Sequence, residues 1–169
     1  MEVLPEIAKW VSTDHFQNRD IDGKIIERLV EAARRAPSAK NRQPWRLIIA
    51  QKEEVRSRLA EAAFGQDPAK EAQAVAAFCT TNVDYRMPNG HHAYPLDIGI
   101  ASGFLMIQAR AEGLGVHPMS TYDEQEVKEI LTVPHSMRVA LLVLLGWPAE
   151  EPLLKERRPT EQIVSYDHW

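Results

Sequence analysis

The segment Leu96–Glu112 carries apolar side chains on nearly every side of the helix that its residues favour. Its large apolar members are Ile98, Ile100, Phe104, Leu105, Met106 and Ile107. At about 3.6 residues per turn these positions leave no single face for solvent. Gly113-Leu114-Gly115 ends the helix, because glycine tolerates the left-handed conformation found at helix C-termini. Such a helix needs protein all round it, and in a chain of 169 residues a second subunit is a natural source of that cover.

Three other segments have the apolar spacing of amphipathic helices, namely Ile21–Ala36, Glu53–Ala63 and Thr121–Leu131. Asp22 is placed to cap the first of them, and Pro37 ends it. Thr121 and Glu124 predict a capping box at the start of the third.

Three short apolar runs predict buried strands, namely Trp45–Ala50, Ala74–Thr81 and Val139–Leu145. The segment Ile163–Tyr166 is the candidate for a final short strand. Helices and strands therefore intermix along the chain, which predicts an α+β or mixed α/β fold with helices packed on a central sheet. The length suits one domain covering residues 1–169.

Charge and hydropathy exclude several classes of function. The formal net charge of −4 argues against nucleic acid as a partner, because binding to phosphates needs an excess of clustered cations. The apolar stretches are too short or too interrupted to span a bilayer, so no membrane partner is expected. The segment Met1–Trp10 lacks the continuous apolar stretch of a signal peptide, and a cytoplasmic location follows as the default expectation.

Metal and nucleophile motifs are equally scarce. The single cysteine, Cys79, lies in an apolar run and is predicted to be a buried hydrophobic residue rather than a nucleophile. His91, His92 and His117 lack an acidic residue at ligand spacing, so we expect no metal site. Neither a Gly-x-Ser-x-Gly elbow nor a Gly-x-Gly-x-x-Gly motif occurs, which argues against a serine hydrolase and a classical dinucleotide-binding domain.

A polar loop lies between the first predicted helix and the first predicted strand, with Pro37 and Pro44 stiffening its two ends. Between them Ser38, Asn41 and Gln43 supply neutral donors and acceptors. Composition alone leaves two interpretations open. The loop is either a ligand-binding segment or a turn whose Ser and Asn side chains satisfy their own backbone.

The stretch Ala36-Pro37-Ser38-Ala39-Lys40-Asn41-Arg42-Gln43-Pro44-Trp45 resembles the Ala-Pro-Ser-x-x-Asn-x-Gln-Pro-Trp signature of the nitroreductase family. The resemblance implies an intertwined homodimer with a central mixed, mainly antiparallel sheet flanked by helices. It also implies that Pro37, Ser38, Asn41 and Gln43 contact the ribityl chain and phosphate of FMN, often from the partner subunit.

Further features follow in the order that this family would place them. Gln66 resembles its flavin-contacting Asn or Gln, and Asp97 lies in what looks like its central interface helix. The resemblance implies that Pro118, Ser120 and Thr121 belong to a loop whose backbone amides face the flavin ring, and Ser120 and Thr121 also lie at the start of a predicted helix. It also implies a phosphate-binding basic tail formed by Lys155, Arg157 and Arg158. Three cations in a tail, taken alone, are more often a solvated surface than a phosphate site.

One segment departs from the family pattern. The family usually opens with Arg-Arg-Ser-x-Arg-x-Phe, and the corresponding residues here are Trp10-Val11-Ser12-Thr13-Asp14-His15-Phe16. Ser12 and Phe16 match the pattern, which makes Ser12 a candidate flavin contact, whereas all three basic positions are replaced, one of them by Asp14. A carboxylate near the flavin opposes both the phosphate and the anionic reduced ring. Arg19, Arg42 and Arg86 are the candidates to compensate.

The resemblance implies an FMN-dependent oxidoreductase that passes electrons from NAD(P)H to an electron-poor acceptor, nitroaromatic or quinone-like, by a ping-pong mechanism. The flavin carries out the chemistry in such enzymes, so no catalytic side chain is expected. The alternative is a flavin-binding or degenerate homologue without turnover that acts as a sensor or interaction protein. A specialised flavin-destroying or dehalogenating relative ranks third, because the loop Asn82–Tyr94 is short for a lid.

Overall fold

The structure is a computed structural model that describes residues 3–151 and 153–169. Met1, Glu2 and Pro152, which belong to the expectations about the N-terminus and the tail, lie outside the described residues. Six helices are present in the described part, α1 Pro5–Ala8, α2 Gly23–Arg34, α3 Glu53–Ala62, α4 Asp67–Glu71, α5 Tyr94–Ala111 and α6 Glu124–Leu131. Four strands accompany them, β1 Trp45–Ala50, β2 Ala74–Thr80, β3 Gly115–Met119 and β4 Arg138–Gly146. Short 3₁₀ turns occur at Ala39–Asn41 and Thr160–Gln162.

The four strands form one sheet in the order β1-β2-β4-β3, and all three pairings are antiparallel. One face packs against α2 and α5 through residues such as Leu29 and Leu105. The opposite face packs against α3, α4 and α6 through residues such as Leu59 and Val127. Strand β2 is buried at every position because it lies between these two layers of helices. The α+β prediction is therefore confirmed, and the described strands contain no parallel pair.

Local signals in the sequence located two helices correctly. The Asp22 side chain accepts a hydrogen bond from the Lys24 N–H at 2.7 Å and caps α2. Helix α5 covers the predicted apolar segment, and Gly113 follows it at φ +81°, a conformation that glycine tolerates without strain.

No helix among the described residues is long and apolar enough to cross a membrane. Cys79 is buried between the helical layers, and burial followed by the charge of Glu124 raises its pKa to about 11.

Strand β3 is not among the predicted strands, because the family resemblance places Pro118 and the residues after it in a loop. Val116 turns its N–H and C=O toward Thr13, outside the sheet. Since bonding directions alternate along a strand, Pro118 also faces outward, where its missing N–H removes no bond to β4.

Two further predictions were wrong. Helix α6 has no Thr121–Glu124 capping box, since it begins at Glu124 and its cap is Asp123, whose carboxylate accepts hydrogen bonds from the Gln125 and Glu126 N–H groups. Ser120 and Thr121 therefore precede the helix start. The segment Ile163–Tyr166 is not a strand, because it lies exposed in the tail and no described strand pairs with it.

Candidate functional site

The Ser38–Gln43 loop has an unusual backbone. Lys40, Asn41 and Gln43 adopt positive φ angles of 53°, 54° and 49°. Residues other than glycine rarely occupy this region, and each instance costs about 1–3 kcal/mol unless surrounding contacts enforce it. Three such residues within four positions mark the loop as a segment that its surroundings hold in place.

Several contacts hold this loop. The Ser38 hydroxyl accepts a hydrogen bond from the Gln43 N–H at 2.9 Å, and the Gln43 side-chain amide donates to the Asn41 carbonyl at 3.2 Å. The Arg42 guanidinium lies 3.5 Å above the centre of the Tyr85 ring. The Ser38 hydroxyl thus satisfies the loop's own backbone, as in an ordinary turn, while the Asn41 and Gln43 side chains remain exposed. Ligand binding by this loop stays a prediction.

Asp97 attaches the loop to the body of the protein. Its carboxylate accepts a hydrogen bond from the Ala39 N–H at 2.9 Å, and the residue is only 2% exposed. The family resemblance placed Asp97 in the interface helix, but the sequence did not predict its hydrogen bond with Ala39. A lone carboxylate in an otherwise apolar helix was the available signal, because a buried charge needs hydrogen-bond partners.

The segment Ser12–Phe16 lies along the outer side of β3. The Thr13 N–H donates to the Val116 carbonyl at 2.9 Å, and the Val116 N–H donates to the Thr13 hydroxyl at 3.2 Å. A Cβ atom at Gly115 would lie 2.6 Å from the Thr13 hydroxyl oxygen, so only glycine permits this approach. The segment is thereby fixed against the edge of the sheet.

A cleft of about 460 Å³ opens beside this segment. It is lined by Ser12 together with Lys155 of the tail. Arg157 is close by, since its guanidinium donates a hydrogen bond to the Trp10 carbonyl at 3.1 Å, and Arg158 follows it on the exposed tail. The fold therefore brings Ser12, Lys155 and Arg157 of the predicted site close together. Three carboxylates line the same cleft, those of Asp14, Glu150 and Glu151.

Two histidines pair with acidic residues around this cleft. His117 Nδ1 lies 3.2 Å from an Asp14 carboxylate oxygen and also 3.2 Å from the Thr13 carbonyl. His15 Nδ1 lies 3.3 Å from Glu71, whose other oxygen accepts the Phe16 N–H. The hydrogen bond and the charge of Glu71 raise the pKa of His15. Among the described residues no three His, Cys, Asp or Glu side chains cluster closely enough to hold a metal ion.

The predicted ring contacts also gather at the β3 edge. The Gln66 side-chain amide donates to the Ala63 carbonyl at 2.9 Å and to the Thr121 carbonyl at 3.2 Å, which joins two of the predicted positions. Pro118 lies in β3 and Ser120 directly follows that strand.

A cavity of about 580 Å³ borders Ser120, and its wall includes Tyr94, Tyr122 and Arg138, none of which the sequence singled out. Glu124 organises part of this wall, accepting hydrogen bonds from Arg138 and from the Val139 N–H. Burial acts to raise the pKa of Glu124. The pKa nevertheless lies below its ordinary value, because Arg138, Val139 and Lys128 donate hydrogen bonds to the carboxylate.

The cations proposed to compensate for Asp14 are engaged elsewhere. Arg19 lies 3.9 Å above the ring of Trp147, and Arg42 lies over Tyr85. Arg86 donates to the Gly90 carbonyl at 2.9 Å. The described residues that line the Ser12 cleft include none of the three.

One predicted component lies apart from the others. Ser12, Gln66, Thr121 and the tail gather at the β3 edge, whereas the Ser38–Gln43 loop leads into β1 at the opposite edge. Three strand spacings separate these edges, which amounts to about 14 Å. The described residues that line the Ser12 cleft include none of the Ser38–Gln43 loop.

Solved structures share this architecture. A nitroreductase family protein from Clostridium difficile 630 superposes with a TM-score of 0.88 at 27% identity, covering 99% of this chain and 100% of that one.

Sequence comparisons define the family. The nitroreductase family model matches residues 7–94 and 81–147. The chain is 30% identical to an NADH dehydrogenase of Thermus thermophilus, covering 90% of each protein. It is 26% identical to an FMN reductase [NAD(P)H] of Bacillus subtilis, covering 96% of this chain and 72% of that protein. The chain belongs to the nitroreductase family.

Proposed function

We propose that this protein is an FMN-dependent oxidoreductase of the cytoplasm, working as a homodimer. It passes electrons from NAD(P)H to an electron-poor small molecule, nitroaromatic or quinone-like, in a ping-pong cycle. Family membership supports the proposal, as do the NADH dehydrogenase and FMN reductase names of relatives that align over most of this chain.

The residues at the β3 edge fit a flavin phosphate. Ser12 offers a hydroxyl, while Lys155, Arg157 and Arg158 offer cations of a kind that bind phosphate oxygens. Asp14 lies 3.2 Å from His117 Nδ1, a ring nitrogen that can donate a hydrogen bond to its carboxylate.

The remaining predicted contacts surround the other parts of the cofactor. Gln66, Pro118, Ser120 and Thr121 would hold the ring, and Pro37, Ser38, Asn41 and Gln43 would hold the ribityl chain. When bound, FMN supplies the electron-transfer chemistry, and the chain supplies binding and orientation. No side chain acts as a catalytic acid or base in this proposal.

Helix α5 supports the dimer. Leu96 is 54% exposed and Phe104 44% exposed, although both lie on a helix whose other faces are buried. Gly99 and Gly103 accompany them, and a Cβ atom added at either would meet nothing within 4 Å. An apolar face with two small residues suits close packing against a second helix.

The observation that carries the proposal is the separation of the Ser38–Gln43 loop from the Ser12 cleft. The predicted contacts form one site only if the loop of one copy reaches the cleft of another. An isologous dimer packed through α5 provides two such sites.

The absorption spectrum of the purified protein tests the cofactor. We expect flavin bands in the blue that NAD(P)H bleaches under anaerobic conditions and that an added quinone restores. A colourless protein that does not bind added FMN contradicts the proposal. A protein that binds FMN without bleaching instead identifies the flavin-binding homologue without turnover, which the carboxylates around the cleft favour.

Mixed dimers test the shared site. The loop variant carries Asn41→Ala and Gln43→Ala, and the tail variant carries Arg157→Ala and Arg158→Ala. Each should bind FMN weakly alone. Refolded together in equal amounts, they should recover about a quarter of the wild-type sites, because half of the dimers are mixed and each mixed dimer has one intact site. No recovery, with dimers present by light scattering, shows that the site lies within one chain.

A further inference from the structure

We propose that Asp97 is a positioning residue for the flavin, holding the Ser38–Gln43 loop that serves the cleft of the partner subunit. The inference rests on the proposed function. It adds a role for a buried carboxylate that the flavin contacts described above leave unused.

Burial and bonding point to this role. Asp97 is 2% exposed, and its carboxylate accepts the Ala39 N–H at 2.9 Å. It lies in the first turn of α5, where the helix N-terminus favours an anion. A carboxylate is retained at such a depth only when it makes strong hydrogen bonds.

The loop needs an attachment of this kind. Its positive φ angles at Lys40, Asn41 and Gln43 persist only if neighbouring contacts enforce them. The bonds made by Ser38 and Gln43 stay inside the loop. Among the described contacts, Asp97 and the stacking of Arg42 on Tyr85 join the loop to the body, and the contact to Asp97 is the more buried of the two.

Asp97 also connects the loop to the exposed face of α5. It directly follows Leu96, and Ile100 and Gly103 lie on the next two turns of the same helix. Packing of α5 against a second copy therefore fixes the element on which the loop rests. The flavin contacts of one subunit would depend in this way on a carboxylate of the other.

Two substitutions break the bond from opposite sides. Asp97→Ala removes the acceptor. Ala39→Pro removes the donor and leaves α5 intact, and it suits the backbone because Ser38 is extended at φ −145° and ψ 159°, the region preferred before proline. Asp97→Asn keeps an acceptor oxygen and is the conservative control. Ser102→Ala is the matched control, since Ser102 is 1% exposed on the same helix and bonds only to the Gly99 carbonyl among described partners.

The dissociation constant for FMN is measured by quenching of flavin fluorescence, with the molar mass and the thermal midpoint recorded for each variant. We expect Asp97→Ala and Ala39→Pro to weaken FMN binding about tenfold, equivalent to about 1.4 kcal/mol, while both remain dimers. Asp97→Asn should bind within about threefold of wild type, and Ser102→Ala should equal wild type.

Mixed dimers separate positioning from general destabilisation. Asp97→Ala combined with the tail variant should recover FMN sites, because the mixed dimer holds one normal loop opposite one normal tail. Combined with the loop variant it should recover none. The inference is overturned if Asp97→Ala binds FMN as wild type does, if Ser102→Ala weakens binding equally, or if complementation follows the opposite pattern. If wild-type protein does not bind FMN, the proposed function fails first.

Discussion

Single charges around the Ser12 cleft should affect the binding of an anion. Asp14 lines this cleft with Lys155, at a position where the family usually has a cation. We expect Asp14→Asn to tighten FMN binding about threefold at low ionic strength, because a repulsive charge is removed. The gain should shrink as salt is added, since salt screens exposed charges.

Asp84→Asn is the matched control for this prediction, because Asp84 is an exposed carboxylate in the loop that precedes α5. It should leave FMN affinity unchanged. Titration of flavin fluorescence at two salt concentrations measures both variants, and weaker binding by Asp14→Asn would show that the pairing with His117 matters more than repulsion.

The His15–Glu71 pair makes the same edge sensitive to pH. Glu71 raises the pKa of His15 above its ordinary value of 6.5, by a hydrogen bond first and by its charge second. A raised pKa in the folded state means that the pair stabilises the fold fully below pH 6.5 and that this contribution is lost as the pH rises through the raised value.

NMR titration of the His15 ring should therefore show a pKa above 6.5 in wild type and a lower one in Glu71→Gln. His135 provides an internal reference in both spectra, because it lies in a different exposed loop. An unchanged His15 titration in the variant would contradict the pairing.

At the scale of elements, the start of α6 depends on a residue that the sequence pattern did not favour. Asp123 accepts two backbone N–H groups, at 2.9 and 3.0 Å, and so satisfies donors that the helix leaves unpaired. We expect Asp123→Ala to lower the free energy of unfolding by about 1 kcal/mol. Thr121→Ala, at the position predicted from the sequence, should change it by less than half as much. Urea unfolding followed by circular dichroism measures both variants. Equal losses of stability in the two would show that Thr121 also caps the helix, as the sequence predicted.

Strand β3 shows why some elements escape sequence reasoning. Its five residues include Pro118, which usually argues against a strand. The strand forms because β4 offers Gly146 to Leu142 as pairing partners and because Thr13 takes the outward-facing groups of Val116. Both causes lie far away in the sequence.

At the scale of the whole molecule, the exposed face of α5 should control both assembly and cofactor binding. We expect Phe104→Glu to give a mass of 19.2 kDa rather than twice that value, because a charge cannot be buried unpaired in an apolar interface. FMN affinity should fall with it, since the loop and the cleft would then lie on separate molecules.

Phe64→Glu is the control for assembly, because Phe64 is 67% exposed on the opposite layer, between α3 and α4. This variant should stay dimeric and bind FMN as wild type does. Light scattering and flavin titration on the same samples measure the molar mass and the FMN affinity of both variants. A Phe104→Glu dimer with normal affinity would place the interface elsewhere.

The sequence by itself determined the features that depend on neighbouring residues. Apolar spacing located α2, α5, β1, β2 and β4, and Asp22 and Gly113 marked helix ends through local backbone chemistry. The Ala36–Trp45 motif identified the family because it is a continuous stretch of sequence.

Only the tertiary structure decided which distant residues meet. It paired Asp14 with His117, joined Asp97 to the loop, and placed no residue of that loop in the lining of the Ser12 cleft. Such contacts depend on chain reversals and packing between layers, and periodicity in a sequence carries no information about them.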